Sequence, residues 1–80
     1  MKVNEIKQLT EKYDLPTLQE LQGEIENDKP LSHEVPGNDE GEKLTHILAA
    51  IWIHEQVTAN QSDIKTELRN FAARVRTSIS

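Results

Sequence analysis

The stretch DEGEKLTHILAAIWIHE, residues 39–55, begins with three carboxylates in four residues and carries two histidines. Glu42 and His46 stand one helical turn apart, so on a helix their side chains meet. An imidazole and a carboxylate so placed can share a proton or begin a metal site. A stable metal site takes three or four ligands. The familiar di-metal helix signature is Glu-x-x-His contributed by two helices, but Lys43 occupies the position three before His46. His54 lies two turns on and about 80° round the helix. His-Glu occurs at His33-Glu34 and His54-Glu55, each time without the second histidine of a zinc-protease helix. One helix face offers two ligands at most, so neither a metal nor a cofactor is expected. Capping or salt bridging by Glu42, and partly exposed or interface-lining places for His46 and His54, explain the residues more simply.

Other chemistry is thinner. Asp39, Glu40 and Glu42 are candidates for paired acid–base carboxylates, but acids in a first helical turn are favoured by the helix dipole without any catalytic role. The glycines at 23, 37 and 41 make no phosphate loop, and serines 32, 62, 78 and 80 stand in no spacing that argues for a Ser/His/Asp arrangement. Cysteine is absent, which excludes disulfides and thiolate metal sites. The expectation is a protein without catalytic residues.

Helices must position these groups. Val3, Ile6, Leu9 and Tyr13 recur at helical steps and predict a helix over 3–13, which Asn4 can cap. Pro16 disfavours helical geometry at Leu15 and suits the first turn of a second helix, 15–27, capped by Asp14 and carrying Leu15, Leu18, Leu21 and Ile25. One kinked helix is the alternative. Prolines, a glycine, asparagines and aspartates make 28–38 a loop, with Leu31 and Val35 expected to pin it to the core. A third helix follows over 39–59, then a fourth over 62–78, capped by Ser62 and striped by Ile64, Leu68, Phe71, Val75 and Ile79. No segment alternates long enough for a strand. The fold class is all-α, a small three- or four-helix bundle in one domain.

The third helix is apolar nearly all round. On a wheel, Leu44, Ile47, Leu48, Ile51 and Thr58 form one face, expected to meet Leu68, Phe71 and Val75 in the core. Ala49, Ala50, Ile53 and Val57, with His46, form the other. A helix apolar on both faces is buried on both, and so short a chain has few helices with which to do it. The second face is therefore expected to meet a second copy of the chain in a homodimer.

Charge is uneven. Residues 1–42 hold 4 Lys/Arg and 11 Asp/Glu, net −7, and residues 43–80 hold 5 and 3, net +2, for a total of −5. An acidic chain is a poor nucleic-acid ligand, because phosphate affinity rests on cation density. The alternative rests on Lys65, Arg69 and Arg76, which project together from the fourth helix and offer a basic stripe to nucleic acid or another anion. The longest apolar run is seven residues, against about 20 for a membrane span. With a polar N-terminus, this predicts a cytoplasmic protein without membrane or small-molecule partners.

The segments DEGEKLTHILAAIWIHEQ and FAARVRTSIS together resemble a small uncharacterised bacterial family of the Bacteroidetes type, a domain of unknown function. The resemblance spans most of the chain and rests on packing and caps. It implies a short all-helical protein and supplies no activity, substrate or site. The leading expectation is a non-enzymatic interaction module that self-associates or binds another protein.

Overall fold

The computed structural model describes the backbone of residues 3–79 and the side chains of residues 3–74. It is all-α, with α1 (Val3–Lys12), α2 (Leu15–Glu26), α3 (Glu40–Asn60) and α4 (Ile64–Ile79). There is no strand among the described residues.

The helix boundaries follow from local chemistry. α1 and α2 are separate helices, divided at Tyr13–Asp14. Asp14 caps α2, its Oδ1 accepting the Thr17 N–H at 3.0 Å, with Pro16 in the first turn, where no helical N–H bond is lost. Asp39 caps α3 in the same way, accepting from the Glu42 N–H at 2.7 Å. Two expected caps are corrected. Asn4 lies inside α1. At α4, Asp63 rather than Ser62 accepts the Thr66 N–H, at 2.7 Å. Ser62 instead donates its hydroxyl to Glu67 Oε2 at 2.6 Å. Gln61 ends α3 in the left-handed region, φ 51°, so that α4 can turn back along its partner.

α3 is the axis of the fold, with α1, α2 and α4 all packed on it. One apolar cluster joins Leu18 and Leu21 of α2 and Leu9 of α1 to Ile47, Ala50 and Ile51. A second joins Ile6 of α1 to Ala49 and Ile53, with Trp52, Val57, Ile64, Leu68 and Phe71 packed around it. The sequence-based pairing of α4 is thereby corrected. Leu68 and Phe71 meet the Ala49/Ile53 side of α3, whereas α2 takes the Ile47/Ile51 side. The side chain of Val75 lies outside the described residues. The turn between α3 and α4 permits an antiparallel pair, but it leaves open which flank of an all-apolar helix α4 will choose.

The loop before α3 is tied down. Val35 is buried and Leu31 packs beside it, as expected. Tyr13 donates its hydroxyl to the Glu34 carbonyl at 2.9 Å. Glu24 Oε1 accepts both the backbone N–H and the hydroxyl of Ser32. Gly37 has φ 147°, and a Cβ there would lie 2.8 Å from Lys43 Cγ. Only glycine lets the loop run so close to the first turn of α3.

Candidate functional site

The four residues expected to form a dimer face belong to the interior. Ala50 and Ile53 have no exposed surface, Ala49 keeps 7%, and Val57 is half-buried among them. α1 and α4 cover this side, so the expectation of an interface at Ala49, Ala50, Ile53 and Val57 is corrected: a second copy could reach them only by opening the domain. Ile6 on α1 supplies the key cover. The other face is the more open one. Leu48, expected in the core, is 44% exposed. Leu44 and Trp52, one turn either side, are half-buried, and Thr45 and Glu55 are exposed. At about 100° per residue these positions form one stripe directly opposite α1's contact. Trp52 also touches α4, its ring centroid 5.8 Å from that of Phe71, and the Arg74 guanidinium lies 5.4 Å over it.

Both histidines of α3 are committed to hydrogen bonds; His54 is partly exposed, as expected, and His46 is more buried than expected. His54 Nε2 lies 3.0 Å from the carbonyls of both Thr10 and Tyr13. Carbonyls only accept, so Nε2 carries a proton and caps the last turn of α1. His46 is fully buried. Its Nδ1 donates to the Pro36 carbonyl at 2.9 Å, and its Nε2 faces Glu5 Oε2 at 3.4 Å. Glu42 completes the group: one ligand-type atom each from Glu5, Glu42 and His46 lie within 4.8 Å of one another. The Glu42/His46 pairing was legible in the sequence. Glu5 was not, because nothing in one helix's pattern says which residue of another will face it.

The basic stripe is less complete. Lys65 and Arg69 are exposed, but both stand close enough to Asp63 to help hold its carboxyl below the usual range, after the Thr66 hydrogen bonds. The side chain of Arg76 lies outside the described residues. Glu67 is the buried acid of α4, 2% exposed, and accepts from Ser62, Asn60 and Asn70. Those donors, Ser62 first, hold its carboxyl below the usual range. It ties the α3–α4 turn together.

The surface clefts are shallow. One of about 450 Å³ is bordered by Tyr13, Asp14, His33 and His54, and another of the same size by Trp52, Glu67 and Arg74. In the first, the His54 nitrogen nearest the backbone is already spent on two carbonyls, and His33 stacks edge-on against Tyr13 at 5.3 Å. Neither cleft brings a nucleophile against a base.

The chain is thus a small helical bundle built around one central helix. It belongs to a family of unknown function (DUF6952), whose model matches residues 1–80. No curated protein and no solved structure matches it.

Proposed function

We propose that this protein is a non-enzymatic interaction module that pairs with a second copy of itself through the uncovered stripe of α3. The observation that carries the reading is Leu48, a large apolar side chain left 44% exposed at the middle of the central helix. Apolar side chains aligned on one exposed stripe mark a contact surface more than scattered ones do.

A second copy suits the stripe because its sequence is compatible with an antiparallel two-fold crossing centred on Leu48. In that register Leu44 meets Trp52 of the partner, and Gly41 meets Glu55. Leu44, Leu48 and Trp52 of each copy are covered, no like charges face each other, and the smallest residue stands opposite the longest acid. An isologous contact covers both copies with one surface. The setting that fits is a bacterial cytoplasm. No described helix is long and apolar enough to cross a membrane.

Molar mass by light scattering over a dilution series tests this. Wild type should approach twice 9.1 kDa at high micromolar concentration, and Leu48→Glu should remain a folded monomer throughout. A monomeric wild type would overturn self-pairing. Binding of nucleic acid or another anion through Lys65, Arg69 and Arg76 has less support, since Asp63 offsets the two described cations. Salt-sensitive co-elution with added nucleic acid would favour it over the dimer.

A further inference from the structure

We propose that Glu5, Glu42 and His46 form a binding site for a first-row divalent metal ion, with zinc as the probe.

The site is built from three segments. Glu5 comes from α1, Glu42 and His46 from α3, and the Pro36 carbonyl from the loop between α2 and α3. The Pro36 carbonyl can only accept, so it fixes the proton of the imidazole on Nδ1. That leaves Nε2 turned toward the two carboxylates. A histidine anchored through one nitrogen to a backbone carbonyl and presenting the other is the usual second-shell arrangement of a metal ligand. Gly37 allows this anchor, since only a residue without Cβ lets the loop lie against Lys43 and bring the Pro36 carbonyl over the ring.

The grouping of charges favours a cation at this point. Glu5 Oε2 is sealed from solvent and has no hydrogen-bond partner, and it faces Nε2 at 3.4 Å. Glu42 adds a second carboxylate within reach of the same nitrogen. Balancing two carboxylates takes two positive charges. A divalent ion supplies two.

The spacing also fits. Metal–ligand bonds of about 2.1 Å put neighbouring ligand atoms of a tetrahedral site roughly 3.4 Å apart. The Nε2–Oε2 separation is 3.4 Å already. The widest separation in the group stays within 4.8 Å, and both glutamates keep partial exposure, so small side-chain rotations close the set while His46 stays fixed. One imidazole with two carboxylates and no thiolate suits zinc, iron(II) or manganese(II), whereas magnesium and calcium prefer all-oxygen shells. Three protein ligands leave a position for water.

The test uses the full chain, stripped with chelator, titrated with zinc chloride by calorimetry and followed by thermal melting, with magnesium chloride as the control. The expected result is one zinc per chain, a rise in Tm with zinc and none with magnesium. Glu5→Gln and Glu42→Gln keep side-chain size, and each should weaken binding at least tenfold while the chain stays helical by circular dichroism. His33→Gln should leave binding unchanged. Cobalt(II) in place of zinc should give visible absorption that Glu42→Gln alters. Absence of saturable binding up to about a millimolar, or binding that survives both glutamine variants and falls with His33→Gln, would overturn the site.

Discussion

The two sides of α3 have similar amino acids and opposite fates. Ala49, Ile53 and Val57 are enclosed by α1 and α4 and Ala50 by α1 and α2, while Leu48, a leucine in mid-helix, keeps 44% of its surface. Hydrophobicity does not separate them, since the exposed stripe holds a leucine and a tryptophan and the enclosed one holds two alanines. What separates them is which neighbour packs there. Alanines at 49 and 50 let neighbouring backbones come close, whereas Leu48 joins neither apolar cluster. Residue type therefore indicates that a helix is apolar, and the partner's approach decides which side is sealed.

The largest expected effect is on the enclosed side. Ile53 is fully buried, so Ile53→Glu would place a charge in the core with no partner and should abolish folding. Ile53→Ala should cost about 2–5 kcal/mol, enough to lower Tm sharply in so small a bundle. Ile53→Glu that melted like wild type would reverse the assignment of the two sides.

Acid should act next, through the caps rather than the core. Thr17 holds the Asp14 carboxyl below its ordinary value, Ser32 does so for Glu24, Thr66 for Asp63 and Ser62 for Glu67. A carboxyl depressed in the folded state stabilises above the unfolded value, near about 4, and that contribution is lost as pH falls through the lower folded value. Urea midpoints should be flat from pH 7 to about 5 and drop below about 4.5. Asp14→Asn with Asp63→Asn should make the drop shallower. A midpoint unchanged down to pH 3 would contradict the role of the caps.

Gly37→Ala should destabilise by more than the roughly 1 kcal/mol of an ordinary glycine substitution, because both the positive φ and Lys43 oppose it. Gln61→Gly should do the reverse, by about 0.5–1 kcal/mol, since Gln61 holds φ 51° with an ordinary side chain at the end of α3. Chemical denaturation of the two variants beside wild type checks both signs.

Much of the fold was legible. The period of Val3, Ile6 and Leu9 marks α1, the Asp14–Leu15–Pro16 step divides α1 from α2, and Asp39 starts α3, because each signal is local. Leu31 and Val35 announced the pinned loop for the same reason. The pairing of faces was not legible. An amphipathic helix such as α4 declares one face, but α3 declares nearly all of its circumference, so α4 could be assigned to either flank. The site at His46 was half legible. Glu42 lies one turn away and follows from helix geometry, whereas Glu5 arrives from α1 across 41 residues of chain and has no periodic signature. The burial of His46 follows from Pro36 and Gly37, and the loop there takes a positive φ at Gly37.

The most direct test of the two-sided reading compares Leu48→Glu with Ile53→Glu by light scattering and circular dichroism on the same samples. Leu48→Glu should keep the helical signal and a Tm within a few degrees of wild type, and its mass should be that of one chain while wild type forms a dimer. Ile53→Glu should lose its helical signal or aggregate. The contrary result is Ile53→Glu as a folded monomer beside a dimeric wild type, with Leu48→Glu still dimeric, which would put the contact surface on the side that the fold encloses.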